Sequence, residues 1–293
     1  MKLHVGCAMW THAAWQGSLL PHPLPPRERL RAYASWCNAV EGNTTFYATP
    51  SAATAASWAE QTAPDFRFLL KLPKQITHER RLADTDGLLR SFLDVVEPLG
   101  PRVHALWVQL PASFGPSDLG TLAAFLHRVP RGLRCTVEVR HPAFFEDPRW
   151  ERRLEGVLND VGAEWTSFDT TDLFAAPPSS AAEREAWQKK PRLPRRSRAL
   201  TEHPVVRYIG RDELGQEQLG RDGAQPTAAG WRHWTGTVAD WLREGRSPTV
   251  FLHTPDNEQA LSLARRFHDG VSSLVPGLEP LPEPVPTGPP TLF

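Results

Sequence analysis

Cysteine is scarce in this chain: Cys7, Cys37 and Cys135 are the only three in 293 residues, and no two form a CxxC pair. That odd, dispersed set excludes a disulfide framework and a cysteine zinc site as organising elements, and points to a reducing cytoplasm. Neither sign of charge is in excess, with 33 basic and 33 acidic residues and a formal net charge of zero. A surface that attracts nucleic acid everywhere is excluded, while a local basic patch is not. No segment approaches the ~18 uninterrupted apolar residues of a membrane span. The opening "MKLHVGCAMW" has one lysine and no long apolar run, so a signal peptide is not expected. Also missing are G-x-G-x-x-G and G-x-x-x-x-G-K, which removes the usual support for dinucleotide or Walker-type phosphate binding.

What is present is a rhythm. Short runs rich in Val, Leu, Phe and Trp recur, each followed by a polar cluster and a helix-like stretch. They predict strands at 3–10, 39–43, 66–73, 103–111, 134–141, 163–169, 204–210 and 249–254. Helices are expected near 27–37, 51–61, 86–98, 117–128, 148–161, 231–244 and 256–269, with Ser51, Ser117 and Asp256 as N-caps. Eight strands alternating with helices match the order and size of a TIM-type (β/α)8 barrel, so this α/β class is preferred over a doubly wound open sheet. One barrel domain is expected over residues 1–272. Two segments depart from the rhythm. A long loop, 170–203, lies between the sixth and seventh strands and carries the basic run Lys189, Lys190, Arg192, Arg195, Arg196 and Arg198. A loop of this length is expected to act as a mobile lid, and its basic run either clamps an anion or is solvated. The second departure is the Pro-rich tail, 273–293, expected to be extended.

In such a barrel the C-terminal strand ends build the active site. Polar residues recur there: Trp10 after the first strand, Glu41 and Asn43 after the second, Lys71 and Gln109 in the third and fourth. Glu138, Arg140 and His141 close the fifth, Asp169 the sixth, Arg207 and Arg211 the seventh, and His253 the eighth. A charge inside an apolar strand is costly to bury unless it is paired, so charges in almost every strand predict one shared polar centre. Each alone has an ordinary explanation; Glu138 with Arg140, for instance, suits a simple ion pair two residues apart. Phe46 and Tyr47, with Trp10, are expected as flat walls at the mouth.

The blocks "GCAMWTHAAWQG", "VEGNTTFYATP", "FRFLLKLPKQITH", "VQLPASF" and "VEVRHPAFF", followed by "VVRYIGR", resemble the YecE-like family, catalogued as domain of unknown function 72. The resemblance runs from residue 3 to about 270 and implies a TIM-type barrel. It implies no reaction. Two stretches depart from the family pattern. Where members tend to show R-x-H-G, this chain has Arg207, Tyr208, Ile209 and Gly210. Where they tend to show F-N-N, it has Phe251, Leu252, His253 and Thr254.

Three functions compete. The first is an enzyme, a hydrolase, lyase or isomerase, acting on a phosphorylated sugar or nucleic-acid fragment. Glu41, Glu138 and His141 would be its catalytic candidates, and Lys71, Arg140, Arg207 and Arg211 would hold the anion. The second is a metal-dependent phosphoesterase like endonuclease four, with Glu41, Glu138, His141, Asp169 and His253 as ligands. The crowd of cations among those ligands argues against it, and no metal or cofactor is expected. The third is a non-catalytic module that binds an anion or a nucleic acid. Nothing in the sequence points to a membrane partner.

Overall fold

The computed structural model describes residues 1–216 and 228–285. Its strands are β1 (His4–Cys7), β2 (Ala39–Gly42), β3 (Arg67–Lys71), β4 (Val103–Gln109), β5 (Cys135–Glu138), β6 (Glu164–Trp165), β7 (Ser167–Asp169), β8 (Val205–Ile209) and β9 (Thr249–His253). Every ladder is parallel. One sheet runs β2-β3-β4-β5-β6 and the other β1-β9-β8-β7. The sixth expected strand is therefore two short ones, broken at Thr166, where the chain leaves one sheet and joins the other.

Parallel neighbours need crossovers, and helices supply most of them. They are α1 (Arg29–Tyr33), α2 (Thr44–Tyr47), α3 (Ala52–Glu60), α4 (Asp86–Val96), α5 (Leu119–Arg128), α6 (Ala143–Glu146), α7 (Pro148–Asn159), α8 (Ala181–Lys189), α9 (Glu213–Gln216), α10 (Ala229–Arg243) and α11 (Ala260–Leu274). Ser51 caps α3 as expected, its side chain accepting from the Thr54 amide at 3.1 Å. Ser117 and Asp256 do not cap. A short 3-10 turn carries Ser117 and delays α5 to Leu119, and Asp256 accepts from the Glu258 amide in a turn ahead of α11.

Successive strand residues face opposite ways, and each face has its own core. Outward residues such as Val40, Leu70, Val108 and Leu252 pack with helix residues in one large apolar cluster. Inward residues Ala39, Leu69, Ala105, Trp107, Val205 and Phe251 form a second, small cluster drawn from both sheets. The two sheets thus share an inner core. Side chains from α1 and from the approach to β2 bridge the edge of β2 to β1. Asn38 accepts from the Val5 amide at 2.8 Å and donates to Leu3 O at 2.9 Å. The Tyr33 hydroxyl accepts from the Cys7 amide and donates to Ala39 O, both at 2.8 Å. Gly6 permits this approach, because a Cβ there would lie 2.1 Å from Ala39 O.

The long segment 170–203 is not a free loop. "SSAAEREAWQKK" contains a capped helix: Ser180 accepts from the Glu183 amide at 2.9 Å to start α8. Ion pairs then tie the rest of the segment down, Arg195 to Asp169 and Arg196 to Glu155, both at 2.6 Å. The beginning of the tail folds back as well. Val275, Leu278 and Leu281 are buried in the outer core, and Arg265 donates to Pro282 O at 2.6 Å. No described helix is long and apolar enough to cross a membrane.

Candidate anion site at the C-terminal strand ends

Moving two residues along each inner face from the small apolar cluster leads from oil to charge. Ala39 is followed by Glu41, Leu69 by Lys71, Trp107 by Gln109, Val205 by Arg207 and Phe251 by His253. Glu138 lies beside Gln109 in the β4–β5 register. The alternation of five strands therefore aims these groups at one centre.

Glu41 is its hub and is fully buried. Arg207 Nε donates to Glu41 Oε2 at 2.8 Å, and Lys71 Nζ stands 2.7 Å from Glu41 Oε1. Lys71 also donates to Gln109 Oε1 at 3.0 Å and sits 4.9 Å above the Trp107 ring. Arg140 meets Glu138 Oε1 with both Nε, at 2.7 Å, and Nη2, at 2.6 Å. The guanidiniums of Arg140 and Arg207 both lie over Phe168, at 5.4 and 5.6 Å. Among the charged atoms of this centre, three are buried without a hydrogen-bond partner among the described residues: Glu41 Oε1, which lies against Lys71 Nζ as an ion pair, Glu138 Oε2 and Arg207 Nη1.

Burial pushes both carboxylates towards the protonated form, but the cations win. Arg207 and Lys71 hold Glu41 well below the ordinary range, and Arg140, Lys71 and Arg207 hold Glu138 below it. Burial lowers Lys71 to about 8 even with Glu41 beside it. His253 is driven down to about 3 by burial and by Arg207 and Lys190, so it is neutral; its Nδ1 lies 2.8 Å from Thr254 O. Glu41 has both oxygens committed, whereas Glu138 keeps one free.

Other expected site residues surround this centre or lie apart from it. Asn43 donates to Ala8 O at 2.7 Å, which ties the end of β2 to β1. Trp10 packs edge-on against Trp58 at 5.2 Å. Phe46 stacks edge-on with His78 and with Tyr47, and Tyr47 is 74% exposed. His141 turns back on its own loop, Nδ1 accepting from the Ala143 amide at 3.2 Å. Asp169 faces away from the centre. It accepts from Trp234 Nε1 at 2.7 Å and pairs with Arg195, because in β7 Phe168 takes the inner face and Asp169 the outer. Arg211 is drawn to the inserted segment, with Nη2 3.1 Å from Glu183 Oε2 and Nη1 2.7 Å from Ala176 O. The proposed metal ligands are not assembled, and no group of three or more His, Cys, Asp or Glu suited to a metal occurs among the described residues.

Two members of the centre are absent from the sequence-based set. Phe168 is an apolar residue in a strand, and nothing in its neighbours marks it as a platform for arginines. Lys190 stands out in sequence only as one of a basic run. In the fold, Arg207, Glu41, Arg140 and Lys71 all act on it, and burial with the Arg207 charge lowers it to about 7.

These features define an α/β protein of parallel sheets with an ionised centre where its inner strand faces end. Two solved structures share the fold. A DUF72 family protein of Thermotoga maritima MSB8 superposes with a TM-score of 0.67 at 21% identity, covering 92% of this chain and 98% of that one. One from Enterococcus faecalis V583 gives 0.67 at 17% identity, covering 93% and 96%. Residues 4–287 match the model described as protein of unknown function DUF72, and the chain belongs to this family. It is 34% identical over 280 residues to the UPF0759 protein YecE of Escherichia coli O157:H7 and to that of strain K12, covering 96% of each chain.

Proposed function

We infer that this chain is a (β/α)8-barrel enzyme that takes a phosphorylated sugar or short nucleic-acid fragment at the C-terminal strand ends. Arg207 anchors the anion and Glu138 acts as a general base. The observation that carries this is the pair of orphan atoms: a buried guanidinium nitrogen, Arg207 Nη1, and a buried carboxylate oxygen, Glu138 Oε2, in one centre. Leaving either unmatched costs about 1–3 kcal/mol, and more where the group is charged. A ligand that brings an anionic oxygen and a proton to be removed satisfies both at once. The formal charges point the same way, since Lys71, Arg140 and Arg207 outnumber Glu41 and Glu138. Because its neighbours keep Glu138 ionised, it suits proton removal better than proton donation. Glu41, held on both oxygens, orients Arg207 and Lys71.

Barrel closure is supported by the inner core common to both sheets, by the passage of the chain between sheets at Thr166, and by the Asn38 and Tyr33 bridges across β1 and β2. A cytoplasmic setting fits three buried, unpaired thiols.

The test is to incubate the protein with phosphorylated sugars, nucleotides and short oligonucleotides and follow each by phosphorus and proton NMR. One class is expected to be converted. Glu138→Gln is expected to abolish conversion while binding persists, and Arg207→Lys, which keeps the charge but loses the fork, to raise KM. Binding without conversion of any compound makes the protein a binding module, and absence of both removes the anion site.

A further inference from the structure

The block "GCAMWTHAAWQG" supplies none of the central charges, yet it forms one wall of a separate cavity. The chain leaves the C-terminal end of β1 at Cys7, and residues between 11 and 29 then line a cavity of about 630 Å3. That volume falls within the roughly 300–1,000 Å3 typical of small-molecule sites. The wall is well fixed. Buried Trp15 donates from Nε1 to Asn257 O at 3.0 Å, and the turn after it closes through the Gly17 amide on Leu20 O at 2.7 Å. Arg29 reaches across the cavity's edges, donating from Nε to Leu24 O and from Nη1 to Thr11 Oγ1, both at 3.3 Å.

No acidic residue lines this cavity, whose polar side chains are Thr11, His12, Gln16, His22 and Arg29. Arg29 has no ion pair with any described residue, and its Nη2 makes no hydrogen bond to one. One N–H of Nη1 and both of Nη2 therefore remain, a fork that matches a phosphate or a carboxylate. His12 Nδ1 accepts from the Ala14 amide at 3.3 Å, which leaves the proton of a neutral ring on Nε2, a donor. Gln16 Nε2 is buried with no hydrogen-bond partner, so nothing in the described fold holds that amide back from turning to a ligand. A cation without a counter-charge, accompanied by two further donors, is complemented by an oxygen that carries negative charge. Ala13, Leu24 and Pro25 line the remainder, an apolar bed for the body of the same ligand. We propose that this cavity is a second oxyanion site, distinct from the Arg207 centre. It takes the phosphate or carboxylate group of a small ligand, with Arg29 as the anchor and His12 and Gln16 as accessory donors. None of these groups belongs to the central site, so the two stand or fall separately.

Titration of the full chain with phenyl phosphate, benzoate and neutral phenol, followed through backbone amide shifts by NMR, tests this directly. At least one of the two anions is expected to move amides between residues 11 and 29 saturably, and phenol to bind there roughly tenfold more weakly. A response to phenyl phosphate alone assigns a phosphate ligand, and a response to benzoate alone a carboxylate; either supports the site. Arg29→Gln is expected to weaken the effective anion roughly tenfold. Because Arg29 also ties the loop together, Gln16→Leu serves as a second variant and is expected to weaken it about threefold. Arg27→Gln, at a side chain that already faces Glu28 at 3.7 Å, is expected to behave as wild type. Anion-induced shifts confined to the surroundings of Glu138 and Arg207, or no shifts at all, overturn the second site. Phenol bound as tightly as the anions overturns the role of charge. Equal affinity in Arg29→Gln, Gln16→Leu and wild type overturns the assignment of the donors.

Discussion

The two ends of the strands bury polar groups to similar depth and treat them in opposite ways. At the C-terminal end, Glu41, Lys71, Arg207 and Glu138 are buried and ionised. At the N-terminal end, His4 and His104 are equally buried, with ring centroids 5.1 Å apart, and His203 lies 5.5 Å beyond. Neither ring nitrogen of His4 or His104 has a hydrogen-bond partner among the described residues. A cavity of about 50 Å3 adjoins His104 and is lined also by His203 and Glu164. Burial lowers His4 to about 3, with Arg67 and Lys2 adding to it, and lowers His104 to about 2, with His4 and Arg134 adding. Burial alone therefore does not decide charge. At one end each buried ion meets an opposite partner, and the ions survive. At the other, the charges that act most on the two rings are cations, against which Asp65 opposes only the shift of His4, and the histidines give up their protons.

The largest effect expected from this contrast is that of Glu41→Gln. It leaves Arg207 and Lys71 buried without their carboxylate and should destabilise the fold by about 3–5 kcal/mol. Urea unfolding with an unchanged slope would measure it. Because Glu41 and Arg207 are in direct contact, the double variant Glu41→Gln/Arg207→Gln should lose clearly less than the sum of the single losses. By comparison, His104→Leu removes a neutral ring with two orphan nitrogens and should cost much less. A Glu41→Gln loss no larger than that of His104→Leu would erase the distinction between the two ends.

The second expectation concerns pH. His4 and His104 bind a proton near 6.5 when unfolded but only near 3 and 2 when folded. Between those values the unfolded chain holds more protons, so stability is full above about 6.5 and falls as pH drops below it. Each histidine contributes a slope of up to about 1.4 kcal/mol per pH unit in that window. Glu41 and Glu138, whose folded values lie below their ordinary 4.5, add to the loss only as pH falls through that lower range. The interval from 6.5 to about 5 therefore reports histidines. Urea midpoints of His4→Leu/His104→Leu against wild type across that interval should show a flatter profile in the variant, and parallel profiles would mean that these rings are protonated in the fold.

Much of this was legible before folding, and the exceptions share a cause. Glu41, Lys71, Gln109, Glu138, Arg207 and His253 announce themselves because a polar residue at period two inside an apolar strand has few other places to go. Asp169 looks equivalent in "TSFD", yet its strand changes sheets at Thr166, and the pleat that brings Phe168 inward turns Asp169 towards Trp234. Arg211 follows its strand as Arg207 occupies its own, but Glu183 in the insertion captures it. Lys190 is invisible to any strand rule, since a tertiary decision, the docking of α8, brings it to the centre. His4 and His104 carry no pattern at all: single histidines in apolar strands, distant in sequence, whose shared environment exists only once β1 and β4 meet the end of the insertion.

The smallest effect is the most discriminating, because it concerns a lysine at the C-terminal end that, like His253, is treated as the histidines at the other end are. Lys190 is a partly buried cation with no ion-pair partner among the described residues, beside Arg207, Arg140 and Lys71, and its proton is loosened as those of the histidines are. Its ordinary value of 10.5 falls to about 7, so the unfolded chain holds more protons between 7 and 10.5. Wild-type stability should then bear the full strain of Lys190 below pH 7 and recover as pH rises towards 10. Lys190→Gln removes that strain. It should stabilise the fold slightly, by about 0.5 kcal/mol at pH 6, with the gain shrinking at pH 9. Melting curves of the two proteins at both pH values measure this. A Lys190→Gln variant less stable than wild type would show that Lys190 already has a partner in the fold.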